Sequence, residues 1–212
     1  MNKAFYIFCT AALALIATGC DDEFLEKKPS EQLSTEQIQE AAKKDPSLLN
    51  GNIAGLYSTM YNTGTGGTDL NHDDFGQKGY DIYSDMLSSD MVLGALNYGW
   101  YSGVAGYTAT LDYTVNATYQ PWRYYYRIIF AANGVIDALG GTDAEQTETD
   151  QRHIMGQAKA MRAYAYFYLA HFYATGYGDG SEKILPLYKD TQVPNQPLST
   201  AGEVYELIIS DL

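Results

Sequence analysis

The chain has 212 residues, 13 Lys+Arg against 26 Asp+Glu for a formal net charge of -13, and it holds 20 Tyr, 20 Gly and two Cys. That length admits one domain or the first part of a larger one, and a hydrophobic content of 46% with 14% aromatics excludes a disordered chain. The acidic excess, with no Lys/Arg cluster, excludes a nucleic-acid partner, which needs cations set against phosphates.

Lys3 precedes an apolar run from Ala4 to Ala17, broken by Thr10, that ends in Thr18-Gly19-Cys20. A charged start, a short apolar stretch and small residues before a Cys read as a lipoprotein signal peptide over 1–19, with lipid attached at Cys20. The run is too short for a spanning helix, which needs about 20 apolar residues, and it lacks the polar face of an N-terminal core helix. Burial of acyl CH2 groups at about 0.8 kcal/mol each supplies the anchor, and stable attachment takes more than one chain. Cleavage removes Cys9 and lipid consumes Cys20, so no intramolecular disulfide is expected. Residues 20–33, with Asp21-Asp22-Glu23 and Pro29, form an acidic tether, and residues 34–212 form the body.

In the body, Ser34-x-x-Gln37 is a capping-box pattern ahead of Ile38, Ala41 and Ala42. Pro46 opens a second helix, whose stripe of Leu48, Leu49, Ile53, Leu56, Tyr57 and Met60 follows three- and four-residue steps. Gly64, Gly66 and Gly67 mark a loop over 61–69. Residues 70–120 are rich in Gly and Tyr with weak periodicity, and a short helix within 81–93 is the one regular element expected there. Long ordered loops are uncommon unless functional, so the binding surface is expected in this stretch.

Pro121 suits the first turn of a long helix carrying Trp122, Tyr125, Tyr126, Ile129, Phe130, Asn133 and Ile136, with Gly140-Gly141 as its stop. A second long helix runs from Thr149 or Asp150 to about Thr175, with an inward stripe of Ile154, Ala158, Met161, Ala165, Leu169 and Phe172. Gly156, Ala158, Ala160 and Ala163 keep it slim, and the two helices should pack antiparallel. After a Gly/Pro-rich connector over 176–197, Ser199 or Thr200 caps a helix with Glu203 near its positive end and an apolar set of Val204, Leu207, Ile208 and Leu212. That helix carries an apolar stripe after about three turns, which predicts that the native polypeptide continues beyond Leu212.

Taken in order, these features resemble the N-terminal part of the SusD/RagB family of nutrient-binding outer-membrane lipoproteins. They are Cys20-Asp21-Asp22-Glu23-Phe24-Leu25-Glu26 with Pro29, then Gly55-Leu56-Tyr57, then Asp85 and Asp90-Met91. Next come Trp122-x-x-x-Tyr126-x-x-Ile129-x-x-Ala132-Asn133 and the run Gly156 to Tyr166. Leu185-Pro186-Leu187 and Val204-Tyr205-x-x-Ile208-x-x-Asp211-Leu212 complete the set. The resemblance implies a mainly α fold of tetratricopeptide-like helix pairs with long irregular loops, one pair being 121–140 with 149–175. It also implies a lipid-anchored protein on the cell-surface side of the outer membrane, working with a SusC-like TonB-dependent transporter to capture a glycan or other nutrient without catalysing a reaction. The family commonly has Glu where Gln157 stands, so Arg162 either pairs elsewhere or is partly exposed.

A glycan binder needs flat aromatic faces for the C–H faces of sugar rings, with amides and carboxylates nearby for the hydroxyls. Asn97, Tyr98, Trp100 and Tyr101 supply that mixture within the Gly-rich loop and are the candidate ligand-binding residues. The alternative for Trp100 is a plug in the core beneath its own loop. Tyr80, Tyr83 and Tyr107 are weaker candidates, and Trp122 and Tyr126, on a helix stripe, read as core. Asp69-x-Asn71-x-Asp73 resembles the start of a calcium loop, yet Asp74 and Tyr80 stand where that loop requires Gly and Glu, so a solvated acidic turn is expected. His72, His153 and His171 match no metal spacing, His171 reads as a partly buried structural imidazole, and nucleophile-elbow and phosphate-loop motifs are absent. No cofactor, metal or catalytic residue is expected. The alternatives are a helical-repeat adhesin or scaffold and a surface glycan hydrolase.

Overall fold

The computed structural model describes residues 35–65, 67 and 74–212. The signal peptide, Cys20, the tether, Ser34 of the capping-box pattern and the Asp69–Asp73 segment lie outside the described residues. Chain contacts divide Met1–Ile38 from Gln39–Leu212, and the second unit carries the fold.

Helix α1 spans Thr35–Lys44. Asp45 then accepts from the Ser47 amide at 3.0 Å and starts a single 3-10 turn, Pro46–Leu48, that leads into α2, Leu49–Thr59. The expected stripe of α2 is narrower than its pattern: Leu49, Ile53 and Leu56 are buried, whereas Leu48 and Tyr57 are exposed.

The stretch expected to be mostly irregular contains α3, Gln77–Leu87, α4, Ser102–Ala105, and a 3-10 turn at Ala109–Leu111. Helix α3 was hard to see because its inward residues, Gln77, Gly79, Tyr80, Tyr83 and Met86, are mostly polar or amphipathic. Helix α5 runs Asn116–Ala138, so Pro121 lies inside it rather than in its first turn. A proline there removes a backbone donor and crowds the preceding turn. Side chains brace that turn: Thr118 Oγ1 donates to the Ala109 carbonyl at 2.7 Å, and Tyr173 Oη donates to the Thr118 carbonyl. The Gly140-Gly141 stop forms as expected, both residues at φ 101° and the Gly141 amide donating to Ile136 O at 2.9 Å.

Helix α6, Thr149–Tyr173, packs on α5 more extensively than any other pair of elements. Ile154, Ala158, Met161, Ala165 and Leu169 are buried as the stripe predicted, while Phe172 is half-buried. Gly156 and Ala160 are exposed, so close helix packing depends on Ala158 and Ala163 alone among the four small residues. The connector holds two short strands that the sequence pattern did not suggest, β1, Lys183–Pro186, and β2, Leu198–Thr200. They pair antiparallel, with Leu185 opposite Ser199, Pro186 opposite Leu198 and a bulge after Lys183.

Helix α7, Ala201–Asp211, follows at once and packs on α6. Thr200 Oγ1 accepts from the Glu203 amide while Glu203 Oε2 accepts from the Thr200 amide at 2.8 Å, a complete capping box. Those hydrogen bonds hold the Glu203 carboxyl below its usual value. A group lowered by folding stabilises above its unfolded value and loses that contribution as pH falls through the folded one. Thr200→Ala is expected to cost about 1 kcal/mol in urea unfolding at neutral pH, with a smaller difference at acid pH once Glu203 is protonated.

Arg162 joins these elements. It is fully buried, and its Nε and Nη2 donate to Asp211 Oδ2 and Oδ1, both at 2.7 Å. Its Nη1 donates to Asn133 Oδ1 at 2.8 Å, Thr142 Oγ1 at 3.0 Å and Lys189 O at 3.1 Å. Of the two outcomes expected for Arg162, pairing elsewhere is correct and partial exposure is not, because α5, α6, α7, the α5–α6 turn and the connector enclose the guanidinium.

Candidate functional site

The candidate residues Asn97, Tyr98, Trp100 and Tyr101 lie on the segment between α3 and α4. Tyr98 and Tyr101 adopt left-handed backbone at φ 58° and 61°, flanking Gly99 at φ 75°, and Ser89 and Tyr107 are also left-handed. For residues with a Cβ this conformation costs roughly 1 kcal/mol or more each, so the rest of the segment must hold the chain in it. Val104 is buried beneath it, Ser89 Oγ and Tyr107 Oη lie 2.9 Å apart, and Thr110 Oγ1 donates to Tyr107 O at 2.8 Å.

This backbone leaves Tyr98 95% exposed and Asn97 exposed. Trp100 and Tyr101 are half-buried, and Tyr101 packs edge-on against Tyr83 with centroids 5.6 Å apart. The four residues therefore share one short segment but differ in access. Tyr98 is fully presented, and Tyr101 is anchored to the core by one edge. Leu111 and Tyr113, 88% exposed, lie at the mouth of a cavity of about 400 Å³ that has Tyr83 and Phe172 in its walls.

Two of the weaker candidates are taken up by the core. Tyr80 and Tyr83 are buried, with Tyr80 Oη donating to Asp74 Oδ1 at 2.8 Å and Tyr83 Oη to Gln120 Oε1 at 3.0 Å. They belong to a cluster in which the Tyr80 ring meets Tyr83, Tyr124 and Tyr125 at centroid distances of 5.7, 4.7 and 6.0 Å. Burial pushes the phenols of Tyr80, Tyr124 and Tyr125 well above their ordinary range. These phenols are neutral rather than bases; Tyr80 donates to Asp74 and Tyr125 to Gln77, whereas the buried Tyr124 hydroxyl meets no partner among the described residues. Tyr107 keeps partial exposure.

A second concave region was not marked by the sequence pattern. Trp122 and Tyr126 read as core, yet both are only half-buried, and with Phe130 they line the outer face of α5. Between that face and the segment after β1 lies a groove of about 330 Å³, whose walls include Tyr188, Asp190 and Asn195. The clue was the four-residue spacing of three aromatics on a helix whose other stripe, through Tyr125, Ile129 and Ile136, already fills the core.

His171 is exposed, contrary to the partly buried position expected, with Nδ1 2.7 Å from Phe167 O and its ring 4.1 Å from the Phe167 ring. Among the described residues no group of three His, Cys, Asp or Glu side chains is placed to hold a metal ion. The described geometry can therefore present rings and hydrogen-bonding groups to a ligand.

The family described as "Starch-binding associating with outer membrane" matches residues 23–212. A SusD-like protein of Formosa agariphila is 29% identical over 172 residues, 81% of this chain and 30% of that protein. A SusD-like protein of Bacteroides ovatus is 25% identical over 207 residues, 95% of this chain and 32% of that protein. The chain thus spans about a third of the length of these relatives. A crystal structure of a SusD superfamily protein from Bacteroides fragilis superposes with a TM-score of 0.58 at 24% identity, covering 78% of this chain and 38% of that one. Another from Bacteroides thetaiotaomicron gives 0.56 at 20% identity, covering 77% and 35%. With a helical fold shared with these structures and a family match over nearly its whole length, the chain belongs to the SusD-like family.

Proposed function

We propose that the protein is a non-catalytic, lipid-anchored receptor on the cell-surface side of the outer membrane that captures an oligosaccharide for a SusC-like TonB-dependent transporter. The family's description supplies the ligand class and the membrane. The observation that carries the reading to this chain is the exposed ring of Tyr98 beside Asn97, on backbone held in the left-handed region. Strained backbone persists only where its surroundings enforce it, and it gathers at ligand-contacting segments. Cys20 is the proposed lipid site, residues 20–33 the tether, and residues 34–212 the N-terminal part of a longer SusD-like body.

Calorimetric titration of the full chain with maltoheptaose, followed by a panel of other plant and algal oligosaccharides, tests the reading. Saturable heat is expected with at least one sugar. Trp100→Ala should weaken that binding about tenfold or more, the effect of removing an aromatic anchor worth upwards of 1.4 kcal/mol, while the melting temperature stays within a few degrees. A drop in melting temperature with unchanged affinity would make Trp100 a core plug. No heat with any sugar would favour the adhesin reading.

A further inference from the structure

The groove on the outer face of α5 carries the chemistry of a sugar site in side chains distinct from those of the tyrosine-bearing segment. Trp122, Tyr126 and Phe130 recur every fourth residue, so their Cα atoms step about 6 Å along the helix axis, and the Trp122 and Tyr126 rings lie tilted at a centroid distance of 4.8 Å. Each is fixed or presented differently. Trp122 is braced edge-on by Tyr173 at a centroid distance of 5.0 Å, Tyr126 Oη donates to the Pro186 carbonyl at 2.9 Å, and Phe130 is 61% exposed. The facing wall supplies polar groups with unused capacity. Asp190 Oδ1 accepts from the amides of Gln192 at 2.8 Å and Val193 at 2.9 Å, while its Oδ2 accepts from no described residue. Tyr188 Oη accepts from the Gln196 amide at 3.3 Å, which leaves its O–H to donate, and the exposed Asn195 amide bonds to no described residue.

Aromatic faces beside a carboxylate oxygen, a phenol and an amide match a molecule with apolar C–H faces and a rim of hydroxyls. A wholly apolar occupant would strip water from Asp190 and return no hydrogen bond, which is unfavourable. The volume, about 330 Å³, falls within the range of small-molecule sites, roughly 300–1,000 Å³. A separate concavity that shares Trp122, Tyr126 and Phe130 is lined by Arg123 and Arg127. Arg123 Nη1 donates to Tyr119 Oη at 2.8 Å and Arg127 Nη1 to Thr65 O at 2.9 Å, and both side chains keep further N–H groups. We propose that this groove is a second oligosaccharide-binding site, with Trp122 and Phe130 as stacking surfaces and Asp190 as the principal hydroxyl acceptor. The inference rests on the reading of the protein as a saccharide receptor but uses none of the residues assigned to the first site.

The chain has two tryptophans, one in each region. In the 212-residue chain, Trp100→Phe leaves the tryptophan emission to Trp122, and Trp122→Phe leaves it to Trp100. Titration of Trp100→Phe with maltoheptaose and the same sugar panel should change Trp122 emission saturably. Adding Asp190→Asn, which keeps the Oδ1 acceptor of the turn, should raise the half-saturation point roughly tenfold, the effect of losing a charge-assisted hydrogen bond. If Trp100 responds and Trp122 stays silent with every sugar, the groove is no sugar site and the first reading stands. If Trp122 responds and Trp100 does not, the groove stands and the first site falls. A Trp122 response indifferent to Asp190→Asn would also overturn the proposal, because the indole would then be sensing a ligand bound elsewhere. Silence of both tryptophans overturns both.

Discussion

Asp211→Ala is expected to lower the unfolding free energy by about 3–5 kcal/mol, because it leaves the Arg162 charge buried without its carboxylate. Arg162 has no solvent exposure, and two of its three nitrogens donate to Asp211. The remaining nitrogen keeps Asn133, Thr142 and Lys189 O, none of which carries compensating charge at the bonded atom. Arg162→Lys should also destabilise, since an ammonium cannot present the parallel pair of N–H groups that the carboxylate meets. The double substitution Arg162→Met with Asp211→Leu is expected to cost less than Asp211→Ala alone, because it removes both charges and leaves apolar groups of similar size. Urea midpoints of the three variants test this, and equal losses for the single and double variants would show that shape, not charge, governs the site. The end of α7 should lose amide protection first in Asp211→Ala, since Asp211 is its last residue.

The helix pair was legible because α5 and α6 announce themselves by long three- and four-residue stripes and by the Gly140-Gly141 stop. The Thr200–Glu203 box was legible because its two residues interact locally. The Arg162–Asp211 pair was not, since 49 residues separate the partners and only the packing of α7 on α6 brings them together. The apolar pattern of α7 counts Leu212 and passes over Asp211, whereas the structure buries Asp211 and leaves Leu212 86% exposed. The two tyrosine roles were also inseparable by composition. Tyr80 and Tyr98 occur in one Tyr- and Gly-rich stretch, yet Tyr80 is buried on α3 with Asp74 as its acceptor, and Tyr98 stands in solvent. Their separation depends on the helical phase of α3, which polar and glycine positions on its inward face obscured. The groove on α5 was missed for the opposite reason: a helix that buries one stripe was credited with burying its second aromatic stripe as well.

Gly76→Ala is the second large effect expected, about 3 kcal/mol or more, for two reasons that add. Gly76 precedes α3 at φ 75° and ψ -158°, a region essentially reserved for glycine, where a side chain costs about 1–3 kcal/mol. A Cβ there would also lie 2.2 Å from the Met60 carbonyl oxygen and 2.7 Å from its carbon. These are backbone atoms at the end of α2, and the same carbonyl accepts from the Gln77 amide at 2.6 Å. Relief of the clash must separate the two helix ends and stretch that bond. Gly99→Ala is the control, because Gly99 shares the φ of 75° yet a Cβ would meet nothing within 4 Å, so its loss should stay near 1 kcal/mol. The consequence reaches the ligand segment through α3. Gln77 Oε1 accepts from Tyr125 Oη at 3.2 Å, and Tyr83, two turns along, supports the ring of Tyr101. Gly76→Ala should therefore lower both the urea midpoint and sugar affinity at the tyrosine-bearing segment. Unchanged affinity in a destabilised but folded variant would show that α3 does not position Tyr101.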